Sequence, residues 1–246
     1  MSAVAEATGW YVFGVVASPA PMPAGVVAEG SLAALVEPVS LAEFGREALV
    51  ERLNDREWLE AHARAHQDVL QAACAAAPVV PLRFGTIFDD LEDVRAMLRS
   101  RRHELEAALE YVRGRVEIGV KAWVAPASAE ARRPAAPVTG RAYLEQRLGA
   151  RVQAEEASAA LAEVARAAHE RLLACSVEAV ANRPQPRELT GRDEPMILNG
   201  AYLVDDADAF RAEVAALAAG CAARGIDFEV TGPWPPYNFV GDGVAP

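Results

Sequence analysis

The chain has 246 residues, of which 52% are hydrophobic and 24% are charged. These proportions are typical of a globular protein that forms one large domain or two ordinary ones. A formal net charge of −11 argues against a dedicated nucleic-acid-binding protein, because neutralising phosphates requires a cationic face. No apolar run approaches the roughly 18 to 20 residues that a membrane helix needs. The amino terminus does not resemble a signal peptide, so we expect a cytoplasmic protein.

The first half of the chain predicts a mixture of strands and helices. Aromatic and β-branched residues predict strands at 10–17, 26–28 and 32–36, with a turn made by Pro19, Pro21, Pro23 and Gly25. Extended chain is predicted at 78–88. One helix is expected to follow the capping residues at 54–55, and another those at 89–90. We expect residues 1–113 to form an amino-terminal α+β domain.

The second half shows a more regular order of elements. Alternating side chains at 116–124 predict a strand with one buried face and with Glu117 on the other face. A proline- and alanine-rich connector at 126–137 leads to a long helix at about 139–175. The apolar residues predicted to carry this helix include Leu144, Leu148 and Val152.

Three further strands and one further helix complete the second half. The strands are predicted at 177–181, 196–204 and 226–231, and the helix begins after Asp205 and Asp206. The resulting order is β-α-β-β-α-β. It predicts that residues 114–246 form a ferredoxin-like domain with a long helical extension and with its last strand at the sheet edge.

The sequence TGPWPPYNFV at residues 231–240 combines three prolines with a Trp, a Tyr and a Phe. Proline fixes φ and lacks a backbone N–H, so this segment cannot continue a helix or form a central strand. Large rings on a stiff segment lose little conformational entropy on binding. Two interpretations stay open: the rings bind a partner, or they fix the segment to the amino-terminal domain.

The sequence offers few candidates for catalysis or metal binding. His62 and His66 have the spacing of two metal ligands on one helix face. Both lie on an apolar stripe without a recognisable third ligand, which favours packed histidines. The three cysteines have neither metal-binding nor disulfide spacing, and nucleotide-binding and nucleophile-elbow motifs are absent. We therefore expect no enzyme, no cofactor and no bound metal.

Several segments together resemble one protein family. Residues 231–240 resemble the carboxy-terminal signature of the gas vesicle protein F/L family, and PVVPLRFGTIF at 78–88 resembles its central LPLRFGT region. Four further segments resemble the family in the same order: WYVFG at 10–14, VEIGVKAW at 116–123, GRAYL at 140–144 and NGAYLV at 199–204. The resemblance runs from about residue 9 to residue 240.

The resemblance implies a non-catalytic accessory protein of gas vesicle assembly, a minor vesicle component that helps nucleate or chaperone assembly of the shell protein. The implied partners are the hydrophobic shell protein and other gas vesicle accessory proteins, with no nucleic acid and no membrane. The implied fold is two α+β domains, the second a modified ferredoxin-like domain. Trp234, Tyr237 and Phe239, with Arg83 and Phe84, are the predicted interaction surface or its scaffold.

Two other functions stay open from the residues alone. Ferredoxin-like domains also serve as small-ligand-binding regulatory modules, which requires a pocket with convergent polar groups. The second alternative is a metal enzyme that uses His62 and His66, and it requires bound metal.

Overall fold

A computed structural model describes residues 7–18, 25–125 and 140–240. The three prolines of the predicted turn and the connector at 126–137 lie outside these ranges, while Gly25, also predicted in that turn, begins a strand. Contacts divide the chain into two compact units, one comprising Met1–Glu117 and Trp234–Pro246 and the other Ile118–Pro233. The domain boundary between residues 113 and 114 stays a prediction.

The first unit is built on a five-stranded sheet with the order β2-β3-β1-β4, and β5 also pairs with β1. Its strands are β1 (Thr8–Ala17), β2 (Gly25–Glu29), β3 (Leu32–Ser40), β4 (Val79–Pro81) and β5 (Ile87–Phe88). Its helices are α1 (Leu41–Phe44), α2 (Arg46–Arg52), α3 (Arg56–Ala76), α4 (Leu91–Ser100) and α5 (Arg102–Tyr111).

Strand β1 is buried on both faces because helices cover both sides of this sheet. A register shift between Val12 and Gly14 reverses the alternation of side chains along the strand. Val12 and Val15 therefore pack in the cluster that includes α4 and α5. Tyr11, Phe13 and Val16 pack in the opposite cluster, which includes α3.

Local capping accounts for where the helices of the first unit begin. The Asp55 carboxylate accepts a hydrogen bond from the Trp58 amide, and Asp90 accepts from the amides of Glu92 and Asp93. These bonds satisfy amides that have no partner within the helix. Both predicted helix starts are confirmed. The helix predicted after Asp90 is divided at Arg101 into α4 and α5.

The second unit contains a four-stranded sheet with the order β7-β8-β6-β9. The strands are β6 (Val116–Val124), β7 (Glu178–Ala181), β8 (Met196–Val204) and β9 (Ile226–Trp234). The helices are α6 (Gly140–Leu173), α7 (Arg187–Thr190) and α8 (Ala207–Cys221), with a short 3-10 turn at Ala222–Arg224. Strand β8 is mostly buried and β9 lies at the sheet edge. The predicted mixed class of helices and strands is confirmed.

Two expectations about packing are wrong. Glu117 was expected on the open face of β6, yet it is only 5% exposed, because a segment far along the chain covers it. Leu144, Leu148 and Val152 were expected to carry α6, yet each is more than half exposed. The fully buried residues of α6, Ala168 and Leu172, lie near its end, where the helix packs on β8 and α8.

Among the described residues, no helix is both long enough and apolar enough to span a bilayer.

Candidate functional site

The predicted residues Arg83 and Phe84 lie in a tight turn between β4 and β5. The Arg83 carbonyl accepts hydrogen bonds from the Thr86 amide at 3.2 Å and from the Thr86 hydroxyl at 2.8 Å. Gly85 has φ of +79°, the left-handed region that favours glycine. This turn leaves the Arg83 side chain exposed, while Phe84 is half-buried.

Phe84 belongs to an aromatic cluster on the α3 side of the first sheet. Its ring centroid lies 6.2 Å from that of Tyr11, 5.8 Å from His66 and 6.3 Å from Trp58, all at steep interplanar angles. Edge-to-face contacts at these distances are favourable for aromatic rings. Phe84 therefore acts as a support for the turn rather than as an exposed contact.

A chain of hydrogen bonds links the turn to α3. The Gly85 amide donates to the Tyr11 hydroxyl at 3.0 Å, and that hydroxyl lies 2.9 Å from His66 Nδ1. We assign the hydroxyl proton to the bond with Nδ1, which places the proton of neutral His66 on Nε2. His66 Nε2 is buried and makes no hydrogen bond of good geometry, and the backbone of Leu82 is the group that favours the protonated ring.

Burial controls the ionisation of this pair. It raises the pKa of Tyr11 to about 12, and the bond from Gly85 offsets only part of the rise. Burial also lowers the pKa of His66 to about 4, partly offset by the backbone of Leu82. Both side chains are therefore neutral near pH 7.

His62 and His66 occupy different environments on α3. The His62 ring stacks on Trp58 at 4.0 Å between centroids, and its Nδ1 donates to the Trp58 carbonyl at 2.8 Å. Within the described residues, no group of three or more His, Cys, Asp or Glu side chains is arranged to hold a metal ion. This geometry supports packed histidines.

A segment near the end of the sequence, Trp234–Val240, which we call the tail, is anchored in the first unit. The backbone amide of Asn238 donates to Glu117 Oε2 at 3.0 Å, and its side-chain amide donates to Oε1 at 2.7 Å. Burial raises the pKa of the Glu117 carboxyl, and the two bonds from Asn238 lower it. Phe239 and Val240 are 7% and 8% exposed, and Val240 joins the core cluster of α4 and α5.

Trp234 and Tyr237 remain at the surface although the tail is anchored beside them. Each is 37% exposed. The Tyr237 hydroxyl donates to Gln67 Oε1 on α3 at 2.9 Å. Burial raises the pKa of this hydroxyl, with smaller contributions from Cys74, Tyr11 and Glu117. The hydroxyl of Tyr237 is therefore fixed on α3, although more than a third of the residue stays exposed.

The five predicted site residues thus fall into two groups in the first unit. Arg83, Trp234 and Tyr237 are exposed, whereas Phe84 is half-buried and Phe239 is buried. Phe84 and Tyr237 contact neighbouring residues of α3, His66 and Gln67.

Sequence reasoning missed the anchor formed by Glu117 and Asn238. The two residues are 121 positions apart. The signal available in the sequence was a lone carboxylate on a strand and an amide within the aromatic segment.

Residues 9–241 match the family described as gas vesicle synthesis protein GvpL/GvpF. Gas vesicle protein L of Streptomyces sp. (strain CB03234) is 35% identical over 224 residues, covering 89% of this chain and 84% of that protein. Gas vesicle protein F of the same strain is 30% identical over 241 residues, covering 89% of each. The crystal structure of GvpF from Anabaena sp. PCC7120 is similar in fold, with a TM-score of 0.65 at 16% identity, covering 95% of this chain and 96% of that chain. The resemblance seen in the sequence is confirmed, and the chain belongs to the GvpL/GvpF family of gas vesicle synthesis proteins.

Proposed function

We propose that this protein is a non-catalytic accessory protein of gas vesicle assembly. Its relatives are named gas vesicle proteins L and F, and the family is described by gas vesicle synthesis. In this proposal it is a cytoplasmic protein that associates with the vesicle as a minor component. It helps to nucleate or chaperone the shell protein and contacts other gas vesicle accessory proteins.

The tail carries the proposal for where the shell protein binds. Trp234 and Tyr237 each expose more than a third of their surface, while Asn238 and Phe239 beside them are fixed or buried. Rings held in this way lose little conformational entropy on binding, and Trp and Tyr are enriched among the residues that dominate binding energy. Arg83 adds an exposed guanidinium on the same unit.

The remaining surface suits a protein that handles apolar subunits. Large exposed apolar patches promote aggregation, so a free shell subunit benefits from a partner that covers its patches. A net charge of −11 disfavours self-aggregation of such a partner. We therefore propose that the two rings cover an apolar patch on the shell subunit while the acidic surface keeps the complex in solution.

For the second unit, we propose a ferredoxin-like arrangement. The sheet order β7-β8-β6-β9 supports this, since the first and third strands of the unit lie at the centre, and α6 and α8 follow those two strands in the chain. The boundary proposed at residues 113 and 114 lies close to Glu117, where the contacts divide the chain.

The experiment is a pull-down of the shell protein by the wild-type chain and by the double variant Trp234→Ala/Tyr237→Ala. Melting temperatures are measured beside it, because Tyr237 also binds Gln67. The matched control is Val50→Ala/Leu53→Ala, which removes two apolar residues that are also exposed in the first unit. We expect the ring variant to lose most shell-protein capture with a small change in melting temperature, and the control to keep it.

Equal capture by all three chains would contradict the role proposed for the rings. The accessory role itself is tested separately by deleting the gene and fractionating cells. We expect the protein to float with vesicles and the deletion to reduce buoyancy. A protein found only in the soluble fraction, with buoyancy intact after deletion, would contradict the accessory role whatever the rings bind.

A further inference from the structure

The first half of α6 exposes an apolar stripe. Leu144, Leu148 and Val152 are 61%, 63% and 52% exposed. Residues four apart lie on one side of a helix, so the three side chains form a continuous stripe, which we call the α6 face. It spans about 12 Å along the helix axis. Grouped exposed apolar residues of this kind mark interaction sites.

We propose that the α6 face binds the α6 face of a second copy of this chain, with the two helices antiparallel and a two-fold axis at Leu148. In such an interface, residues equally distant from Leu148 on either side face each other. Leu144 of one copy then packs on Val152 of the other, and the two Leu148 side chains meet at the axis. Every apolar residue of the stripe gains an apolar partner.

The charges that flank the stripe favour the same arrangement. Arg141 and Glu155 lie seven residues before and seven residues after Leu148. In the antiparallel pair, Arg141 of each copy is opposite Glu155 of the other copy, so symmetry produces two attractive pairs. A parallel pair would instead place Arg141 opposite Arg141 and Glu155 opposite Glu155. The charge pattern therefore selects a second copy in antiparallel orientation over a parallel one.

The bond that Glu155 already makes is compatible with this pairing. Arg151 Nε donates to Glu155 Oε1 at 2.8 Å within the helix, and both side chains are exposed. A carboxylate accepts hydrogen bonds at both oxygens, so Glu155 can bind Arg151 of its own chain and Arg141 of the other copy.

The size of the α6 face sets the strength of the dimer. Stable interfaces bury about 1,200–2,000 Å² in total, and a short helix pair with three apolar residues on each side buries less than this. We therefore expect a dimer that forms at high protein concentration and dissociates on dilution. This association does not depend on the rings of the tail.

The test is sedimentation velocity over a wide range of concentration for the wild-type chain and for Leu148→Glu. The matched control is Val50→Glu, because Val50 is also 63% exposed but lies on α2. Leu148→Glu places two carboxylates at the axis, and we expect it to weaken dimerisation by at least about tenfold. We expect the control to dimerise like the wild type.

Two charge variants test the register. Arg141→Glu alone and Glu155→Arg alone create like-charge pairs and are each expected to weaken dimerisation. In an equimolar mixture each substituted residue faces its opposite charge, so the mixture is expected to recover the dimer as a heterodimer. Failure of the mixture to recover dimerisation would overturn the antiparallel register.

Other outcomes overturn the choice of partner. A wild-type chain that is monomeric at every concentration, or a Leu148→Glu variant that dimerises normally, would exclude the α6 face as a self-association surface. Loss of shell-protein capture by Leu148→Glu with unchanged self-association would assign the face to the shell protein instead.

Discussion

The tail and the first half of α6 are two apolar segments with opposite outcomes in the folded chain. The tail buries Phe239 and Val240, while the α6 face leaves Leu148 and its two neighbours exposed. The difference arises from what each segment finds within its own unit. The tail finds a carboxylate and a place in the core, whereas the buried residues described in α6, Ala168 and Leu172, lie near the end of that helix. An apolar pattern therefore shows which side of a segment is apolar, but not whether another part of the same chain covers that side.

This contrast has an energetic consequence. Substitutions in a buried segment change the free energy of unfolding, because they remove packing and leave cavities. Substitutions on an exposed face leave that free energy almost unchanged and act on association instead.

The largest expected effect comes from breaking the buried segment. Phe239→Ala should lower the free energy of unfolding by about 3 to 5 kcal/mol, because it removes a ring from the core and leaves a cavity. Leu148→Ala removes apolar atoms from an exposed position and should change the same free energy by less than about 0.5 kcal/mol. Denaturant unfolding measures both. Equal destabilisation by the two variants would show that the buried and exposed segments do not differ as described.

A second prediction concerns pH and the cluster beside the tail. The pKa of His66 is about 4 in the folded state and 6.5 without burial, so between these values the unfolded chain binds more protons. The contribution of neutral His66 to the free energy of unfolding is fully present above pH 6.5 and is lost as the pH falls towards 4. The loss amounts to about 2 to 3 kcal/mol. We expect His66→Phe to reduce the fall in stability between these pH values, measured by urea unfolding at each pH. An identical fall in the wild type and the variant would exclude His66 as its source.

The smallest of these effects isolates the anchor of the tail. Asn238→Ala removes the bond from the side-chain amide to Glu117, keeps the bond from the backbone N–H, and should cost about 1 to 3 kcal/mol at pH 7. The pKa of Glu117 is already raised, and losing the side-chain bond, which lowers it, raises it further. The charged carboxylate is then penalised most, so the variant should lose more stability at pH 7 than at pH 4. In Glu117→Gln, which cannot ionise, the cost of Asn238→Ala should no longer grow with pH. A cost in the wild-type background that does not vary with pH would contradict this account of the anchor.

Features set by neighbouring residues could be predicted from the sequence. Asp55, Asp90 and Asp206 cap helices whose first amides are two or three residues away, so the local sequence contains the whole interaction. The non-helical backbone of the tail could also be predicted, because three prolines exclude the segment from a helix.

Features set by distant residues could not be predicted in the same way. Alternation along β6 assigned Glu117 to an open face, since nothing near it in the chain indicates that Asn238 will cover it. The same limit applies to Trp123, which lies on that face of β6 and is covered by Arg192, with the guanidinium carbon 4.7 Å from the centroid of its indole ring. The helix α6 was predicted from its apolar periodicity and is present at Gly140–Leu173. The sequence does not specify which part of that helix the sheet covers.

The anchor between Glu117 and Asn238 also has a consequence for synthesis. During synthesis, the part of the first unit that ends at Glu117 is made first. Asn238 and Val240, which also belong to the first unit, emerge only after the whole second unit has been translated. Until then the first unit has a carboxylate without its two donors and a core that lacks Val240. The nascent first unit therefore stays less stable than the finished one while the second unit is being made.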